Sequence, residues 1–445
     1  MTSLTAAAPR APESNDVGLV GALATRVSEL LADDRIARRT IGEGEPNSAD
    51  EHDLARSAVR VELARLSGAR RAEARAVLTA TEETDLTDAV IAHVLGLGRL
   101  QPLLDDPNIS DIHVRGCAPV WVKLRDGTRE ARPPIVDTDS ELIDLIRRAG
   151  TRMGSSERRF DAGNPELNLQ LPDGSRLFAT MEVSLRPSLV IRRHRFDISS
   201  LNELRLCGMF SATVHEFFAA AVRAKRNFVI AGGTGSGKTT LLRALINEVH
   251  STERLVTIED AYELGLDRFE GLHPDHDALQ SRPANIEGQG EITLADLTRM
   301  SLRMDPDRVI VGEVRGGEAF PMLLAMGQGN NGSMCTMHAD STRSVFPKLA
   351  AYVSMASTGL PIETINLLIA SSVHFVVYID NSQKARRIAS IREVVDSDGL
   401  NVISNEVFQA GSNSVAAPAY PLREVTQELF REHGFDSTSH WRISR

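Results

Sequence analysis

The chain has 445 residues, more than one hydrophobic core usually organises, so we expect two or three domains. With 42% hydrophobic and 25% charged residues, its composition is that of a soluble globular protein, and a formal net charge of -10 argues against a protein that coats nucleic acid. Three widely separated cysteines, and the lack of a signal peptide or a membrane-length apolar stretch, predict a cytoplasmic protein with at most peripheral membrane contact.

The N-terminal part of the sequence predicts helices. Residues 1–16 are rich in Ala, Pro and Ser, which is typical of a disordered tail. From residue 17 to residue 96, apolar side chains recur at intervals of three and four, with charged residues between them. This periodicity predicts an N-terminal helical bundle.

The next hundred residues mix strand and helix patterns. "ISDIHVRG" and "APVWVKLRDG" predict two short strands, and "DSELIDLIRRAGTRM" predicts a helix. Two more stretches, "LNLQLPDGSRLFATMEV" and "SLVIRRHRF", again read as strands. We therefore expect a small α+β domain over residues 97–197, followed by a linker over 198–211.

The C-terminal half predicts an α/β domain. From residue 212 to about 410, helices alternate with short apolar strands, which is typical of a parallel sheet. Residues 411–445 read as a tail that begins as a loop and ends in the helix-like stretch "REVTQELFREHGF".

A phosphate-binding loop stands near the middle of the chain. "AGGTGSGKTTLL" satisfies the spacing GxxxxGK[ST] between the apolar strand "NFVI" and the helical stretch "KTTLLRALINEV". In such loops the backbone N–H groups surround the phosphates, the lysine meets the terminal phosphates and the hydroxyl after it binds Mg²⁺. The predicted nucleotide-binding residues are Gly233, Thr234, Gly235, Ser236, Gly237, Lys238, Thr239 and Thr240.

Acidic residues follow two of the later strands. Glu259 and Glu263 come at the end of "RLVTIEDAYEL", and Glu313 follows the apolar strand of "PDRVIVGEVRGGEA". Strand C-termini of a parallel sheet meet beside the phosphate loop, so Glu313 is expected to orient or deprotonate the attacking water. Gly312 stands at the usual Walker B aspartate, so Glu259 or Glu263 is expected to help hold Mg²⁺ through its waters. The alternative is that these carboxylates lie in solvated loops.

A histidine follows a further strand. In "NGSMCTMHAD" the side chains of Thr336 and His338 are two positions apart and share one face of the strand. We expect His338 to sense the γ-phosphate; the alternative is a core histidine that is satisfied by its neighbours. A guanine-reading Asn-Lys-x-Asp motif is lacking downstream of the loop, which argues against a GTPase.

These segments together resemble the ATPases of the type II/type IV secretion superfamily, and most closely the CpaF/TadA branch that powers Flp (tight-adherence) pili. The resemblance rests on blocks that occur in order between residues 90 and 400: "GLGRLQPLLDDPNISDIHVRG", "LPDGSRL", "GGTGSGKTTLL", "VTIEDAYEL", "RPANIEGQGEIT", "SLRMDPDRVIVGEVRGGEA" and "GSMCTMHADS".

The resemblance implies a RecA-like P-loop motor domain in a homo-hexameric ring that hydrolyses ATP with Mg²⁺. It implies catalytic roles for Glu313, Glu263 and His338, and phosphate contacts from Arg176 and Arg192 of the N-terminal domain. Domain motion would then drive an inner-membrane platform protein that assembles pilin or exports protein. The expected location is the inner face of the cell membrane, reached through partners.

The chain departs from the family pattern at Asp305, where many relatives have an arginine, and this could slow turnover unless Arg303 or Arg308 substitutes. Two alternative functions stay open. One is a DNA-transfer motor, although the acidic total and the scarcity of aromatic residues led us to expect no direct contact with nucleic acid. The other is a weakly hydrolysing, nucleotide-dependent scaffold.

Overall fold

The computed structural model describes residues 14–41, 48–153, 159–193, 200–269, 271–285, 287–381, 385–411, 415–439 and 441. These residues form two compact units, which divide between residues 194 and 195. None of the described helices has both the length and the apolar composition that a membrane span requires. The first thirteen residues of the predicted tail lie outside the described part.

The first unit begins with three helices: α1 (Ser14–Ile41), α2 (Ser48–Ala72) and α3 (Ala80–Val94). α3 starts with a capping box in which Thr79 and Glu82 each accept a backbone N–H of the other. Val27, Val59 and Val90 are fully buried between the helices. The predicted helical bundle is therefore present, with α1 beginning inside the segment that was expected to be a tail.

A six-stranded antiparallel sheet follows, and it confirms the predicted α+β domain. Its spatial order is β3-β2-β1-β6-β5-β4. Helix α5 packs its apolar side on one face of the sheet, where Leu142 and Ile146 are fully buried. The elements are α4 (Gln101–Asp105), β1 (Ile109–Arg115), β2 (Val120–Leu124), β3 (Arg129–Arg132), α5 (Asp139–Met153), β4 (Glu166–Gln170), β5 (Arg176–Thr180) and β6 (Ser188–Arg192).

The second unit is an α/β domain built on a nine-stranded sheet, counted over the described residues. Its strands are β7 (Phe228–Gly232), β8 (Leu255–Glu259), β9 (His276–Gln280), β10 (Arg308–Val314), β11 (Met334–Met337), β12 (Phe375–Asp380), β13 (Arg387–Ser397), β14 (Val402–Ala410) and β15 (Ala416–Pro418). Its helices are α6 (Leu201–Leu206), α7 (Ala212–Arg223), α8 (Lys238–Ile246), α9 (Leu294–Ser301), α10 (Ala319–Gly327), α11 (Val345–Met355), α12 (Ile362–Ser372) and α13 (Glu424–Glu432).

The strand order is β15-β14-β13-β12-β7-β11-β10-β8-β9. The strands from β12 to β9 run parallel, and β13 to β15 extend the sheet in antiparallel fashion. Helices cover both faces, so β7 and β8 are buried along their whole length. The C-terminal ends of β7, β11, β10 and β8 consequently lie side by side.

The segment that was expected to be a C-terminal tail is part of this unit. β15 pairs with β14, and Phe430 and Phe435 are fully buried. Both rings contact Phe217 of α7, at centroid distances of 5.5 and 6.0 Å. Residues 416–435 therefore help to close one hydrophobic core of the second unit.

Candidate nucleotide-binding and hydrolytic site

The phosphate loop lies between a buried strand and the start of a helix, as the sequence predicts. β7 ends at Gly232 and α8 begins at Lys238. Gly235 and Gly237 have φ angles of 71° and 98°, in the left-handed region where a side chain would be strained. Gly237 is also the N-cap of α8 and has no side chain to accept the first helical N–H groups. Those groups are left for phosphate oxygens.

Lys238 folds back onto the loop. Its Nζ donates to the carbonyl oxygens of Gly232 and Gly233 at 3.1 and 3.0 Å. Burial lowers the pKa of the ammonium group, whereas the carboxylates of Glu313 and Glu263 act in the opposite direction. Both glutamates therefore interact electrostatically with Lys238.

The loop also contains a polar group that nothing in the described chain satisfies. The Ser236 hydroxyl is buried and has no hydrogen-bond partner among the described residues. Thr239 and Thr240 are half-buried in the first turn of α8, and Thr234 is exposed. An orphaned hydroxyl, uncapped helix N–H groups and a buried ammonium group are together suited to a bound polyphosphate.

Glu313 lies in the last part of β10, rather than in a solvated loop beyond it. His338 Nε2 is 2.7 Å from Glu313 Oε1, and Arg315 Nε donates to Glu313 Oε2 at 2.6 Å. Burial lowers the pKa of His338 and the charge of Lys238 lowers it further, whereas the Glu313 carboxylate acts in the opposite direction. The structure therefore brings together the carboxylate and the histidine that the sequence assigned to hydrolysis.

Arg315 is a site residue that the sequence analysis did not single out. Besides Glu313, its guanidinium group contacts Asp260 at 3.0 Å, at the end of the neighbouring strand β8. Arg315 thus connects an acidic residue near the end of β10 with one that directly follows β8. The signal was present in the "GEVRG" block, but its partner Asp260 is 55 residues away in sequence.

Glu259 has a different environment from the one expected of a magnesium ligand. It is 3% exposed, and its Oε2 accepts the backbone N–H groups of Glu263 and Leu264 at 2.8 and 2.9 Å. Burial raises the pKa of Glu259 to about 7, although the two N–H groups oppose this. Its carboxylate is therefore used to hold the backbone that carries Glu263.

Arg243 of α8 holds the same segment from the carbonyl side. Its guanidinium group donates to the carbonyl oxygens of Leu264 and Glu263 at 3.0 and 2.7 Å. No sequence pattern singles out Arg243, because its position on α8 is typical of an ordinary helical arginine. Glu259 and Arg243 together fix the backbone at residues 263–264.

The fit to Mg²⁺ can be judged from the oxygen donors at this edge. No group of three or more His, Cys, Asp or Glu side chains suited to a metal occurs in the described part of the chain. Mg²⁺ is commonly held by one or two protein oxygens together with substrate phosphates and water. Thr239 and Glu263, both half-buried beside the loop, fit that kind of site.

Arg176 and Arg192, the two arginines assigned to the N-terminal domain, lie opposite each other. They are directly paired across β5 and β6. Arg192 is exposed and its Nε is 3.6 Å from Asp111 Oδ1, whereas Arg176 is half-buried. The two cations therefore form one local basic patch on the sheet.

Arg308 does not substitute for an arginine at position 305. It is 1% exposed and donates to both carboxylate oxygens of Glu253, at 2.9 and 2.8 Å. Asp305 itself is exposed and has a φ angle of 53°, a backbone conformation that Asp tolerates better than most residues. Arg303 is exposed as well, and of the two candidates it alone reaches the surface.

Comparisons with known proteins identify the family of the chain. A family described as type II/IV secretion system protein matches residues 95–417. A putative conjugal transfer protein of Mycobacterium tuberculosis is 32% identical over 314 residues, which cover 68% of this chain and 86% of that protein. The type IV secretion system protein VirB11 of Brucella suis is 32% identical over 315 residues, covering 63% of this chain and 84% of VirB11.

The crystal structure of the Brucella suis VirB11 ATPase, in complex with sulphate, covers 70% of this chain and 96% of its own, with 29% identity and a TM-score of 0.36. The family match spans well over half of the chain and contains the phosphate loop, Glu313 and His338. The chain therefore belongs to the type II/IV secretion system protein family and is an ATP-hydrolysing enzyme with a RecA-like P-loop domain.

Proposed function

We propose that this chain is the motor ATPase of a pilus-assembly or protein-secretion system, and that it belongs to the CpaF/TadA branch of its family. The observation that supports this best is the meeting of Glu313, His338 and Lys238 at the parallel strand ends. His338 Nε2 lies 2.7 Å from the Glu313 carboxylate, whose charge acts on the ammonium group of the phosphate loop.

In the proposed reaction, residues 233–240 hold the triphosphate of ATP. Lys238 exchanges the carbonyl oxygens of Gly232 and Gly233 for the terminal phosphate oxygens. Water attacks the γ-phosphorus, the bond to the β–γ bridging oxygen breaks, and Glu313 accepts the proton of the attacking water. ADP and inorganic phosphate are the products, and His338 turns its Nε2–H from the Glu313 carboxylate to the γ-phosphate, whose presence it thereby reports.

Mg²⁺, when bound, neutralises charge on the β- and γ-phosphate oxygens. The Thr239 hydroxyl and Glu263 are the protein groups that we assign to it. Glu259, which the sequence offered as a second carboxylate for the metal, acts through the backbone that carries Glu263. That assignment follows from its burial and its two N–H donors.

Force generation is proposed to follow the family pattern. The chain would act as a homo-hexamer at the inner face of the cell membrane, with an inner-membrane platform protein as its partner. Arg176 and Arg192 are proposed to contact the nucleotide phosphates, so that motion of the N-terminal domain depends on the γ-phosphate. The alternative function, a DNA-transfer motor, fits the description of the mycobacterial relative as a putative conjugal transfer protein.

ATP turnover per chain, measured against protein concentration, tests this proposal. A self-assembling ring predicts turnover that rises with concentration and vanishes in Glu313→Gln, while ATP binding remains. Glu291→Gln is a matched control, since Glu291 is an exposed carboxylate of the same domain. Turnover that stays near zero at all concentrations despite ATP binding would instead favour the scaffold. Stimulation by DNA would favour the DNA-transfer motor.

A further inference from the structure

The second unit carries a cluster of charged side chains at the edge of its sheet that lies opposite the phosphate loop. The cluster, here called the basal cluster, consists of Arg226, His374, Glu393 and Arg423. It lies where α7 ends, β12 starts and α13 begins. The five residues of β7 separate it from the phosphate loop by about 16 Å. None of the four side chains belongs to the hydrolytic site described above.

The carboxylate of the basal cluster is engaged by the start of α13. Glu393 is 1% exposed, and its Oε2 accepts the backbone N–H of Arg423 at 2.9 Å. Its Oε1 accepts from Arg423 Nε at 3.1 Å and from the Thr426 hydroxyl. Glu393 therefore ties this helix end to β13, and its ion pair is with Arg423.

Arg226 is left without a partner of opposite charge. Its side chain is half-buried, and its guanidinium group makes no hydrogen bond or ion pair with any residue that the structure describes. Its Nε is sealed from solvent, whereas the two terminal nitrogens stay within reach of solvent. Burial lowers the pKa of Arg226 and the charge of Arg423 lowers it further, while Glu393 acts in the opposite direction. An unpaired, half-buried cation of this kind is costly until an acceptor reaches it.

The neighbouring groups add hydrogen-bond donors rather than acceptors. His374 Nδ1 accepts the backbone N–H of Asn227 at 2.9 Å, and burial lowers the pKa of His374 to about 4. Near pH 7 the imidazole is therefore neutral and carries its proton on Nε2. Arg423 uses its Nε for Glu393 and one terminal nitrogen for the carbonyl oxygen of Val395. The His374 Nε2–H and the other terminal nitrogen of Arg423 have no acceptor in the described ranges of the chain.

Several free donors without a free acceptor are complementary to an anion. The donors approach from three directions: the end of α7, the start of β12 and the start of α13. A carboxylate offers two oxygens in one plane, whereas a phosphate group offers its oxygens around a tetrahedral centre. Guanidinium groups also bind phosphate through paired N–H groups. The arrangement of the donors therefore favours phosphate over a carboxylate.

We propose that the basal cluster binds the phosphate group of inorganic phosphate or of a phosphate monoester, with Arg226 as its main ligand and with Arg423 and the His374 Nε2–H beside it. This is a second anion site, separated by the length of β7 from the phosphate loop that holds the nucleotide. α13 starts at the same point without a side-chain cap, and the partial positive charge of its N-terminus acts in the same sense. The inference does not rest on the proposed motor function.

Thermal unfolding of the full-length protein at increasing phosphate concentration tests the site. A saturating non-hydrolysable ATP analogue with Mg²⁺ occupies the phosphate loop throughout, so that added phosphate reports binding elsewhere. A tenfold excess of inorganic phosphate over its Kd should raise the melting temperature by about 3 °C. Glycerol phosphate and acetate are compared at equal ionic strength. An equal shift with glycerol phosphate identifies a site open to monoesters, and a shift with inorganic phosphate alone identifies a site for the free ion.

Substitutions at Arg226 connect the shift to the basal cluster. Arg226→Met removes the charge but keeps an unbranched chain in the place of the arginine stem. Without phosphate this variant should melt at a higher temperature than the unmodified chain, because the unpaired cation is gone. Its affinity for phosphate should be weaker by roughly tenfold or more, and Arg226→Lys should lie between the two. Arg431→Met, which removes an exposed cation of α13, is the control and should respond to phosphate as the unmodified chain does.

Chemical modification gives a readout at the residue itself. Phenylglyoxal reacts with guanidinium groups, and peptide mass spectrometry locates the modified arginines. Phosphate should protect Arg226 from the reagent in the presence of the ATP analogue, whereas the exposed Arg431 should react at the same rate with and without phosphate.

Four results would overturn the proposal. The first three are no phosphate-dependent shift in the unmodified chain, an equal shift in Arg226→Met, and an equal shift with acetate. The fourth is a lower melting temperature of Arg226→Met in the absence of phosphate, because Arg226 would then be a structural residue. If Arg226→Met leaves the phosphate response unchanged but alters how ATP turnover depends on protein concentration, Arg226 belongs instead to a contact between copies of the chain.

Discussion

Two neighbouring strands of the motor domain carry a glutamate at the same edge of the sheet, and the two glutamates differ in almost every physical respect. Glu259 at the end of β8 is 3% exposed and is hydrogen-bonded to backbone N–H groups. Glu313 in β10 has a side chain that is 20% exposed and that contacts His338 and Arg315. The strands are directly paired, so the difference comes from the surroundings rather than from the position in the sheet.

The contrast shows how one sheet edge separates two tasks. A buried carboxylate whose Oε2 accepts two backbone N–H groups fixes the loop that carries them. A carboxylate held only by side chains can release one of them when substrate enters, because those side chains have other conformations. From their sequence positions alone, both residues could be identified only as acidic groups near the phosphate loop.

Replacing each of the two glutamates by glutamine should reveal the largest difference between them. Glu313→Gln removes the base that the reaction needs, and we expect turnover to fall by about 100-fold or more with ATP binding retained. Glu259→Gln keeps an oxygen that can accept both N–H groups, and we expect turnover within about threefold of the unmodified chain. The measurement is kcat at saturating ATP. Equal losses in the two variants would mean that Glu259 contacts the reacting groups.

The raised pKa of Glu259 predicts a pH dependence of stability. Its value of about 7 in the folded chain exceeds the ordinary 4.5, so the folded state binds the proton more tightly. The resulting stabilisation is complete below pH 4.5 and is lost as the pH rises through 7. The shift corresponds to about 3 kcal/mol of unfolding free energy.

Denaturant unfolding at pH 5 and pH 8 measures this, with Glu259→Gln as the control. The amide cannot titrate, so the variant should lack this site's contribution to the pH dependence. The unfolding free energy should therefore fall less between pH 5 and pH 8 in Glu259→Gln than in the unmodified chain. A variant whose pH dependence equals that of the unmodified chain would assign the titration to other groups.

The motifs of the phosphate loop and the strand ends could be predicted because their chemistry is local in sequence. The glycines, Lys238 and the strand before them form a contiguous signal, and parallel strands place Glu313 and His338 at one edge. The helical bundle and α5 were predictable from periodicity for the same reason.

What could not be predicted depends on contacts between distant residues. The burial of Glu259 and its hold on residue 263 need the tertiary structure, as does the partnership of Arg243 with the same segment. The N-terminal sheet requires the pairing of β1 with β6, where the Ser188 hydroxyl donates to the carbonyl oxygen of Val114, 74 residues away in sequence. Likewise, no local pattern revealed that Phe430 would contact Phe217.

Arg315→Ala removes one of the two side chains that hold Glu313, and it tests whether that contact matters for turnover. The pair is half-exposed, so its contribution to stability is small, but it fixes the direction of the carboxylate. We expect kcat to fall by about tenfold and the KM for ATP to change little, since misplacement of a catalytic group acts on the chemical step. Arg299→Ala, which breaks an exposed pair with Asp296 on α9, is the control. A loss confined to KM would instead make Arg315 a substrate-binding residue.

The smallest effect is expected for Asp260→Asn. Asp260 is 42% exposed, and its Oδ1 accepts from the Ser281 hydroxyl while its Oδ2 accepts from Arg315. An asparagine whose oxygen faces Arg315 keeps that hydrogen bond, and its amide N–H can donate to the Ser281 hydroxyl. Exposed ion pairs contribute less than about 1 kcal/mol, so we expect kcat to fall by less than about threefold. In a double-mutant cycle with Arg315→Ala, the coupling energy should stay below about 1 kcal/mol. Should Asp260→Asn reduce kcat as severely as Glu313→Gln, the exposed carboxylate at the end of β8 would be catalytic. The division of tasks would then lie within the β8 segment, between Glu259 and the residue that follows it.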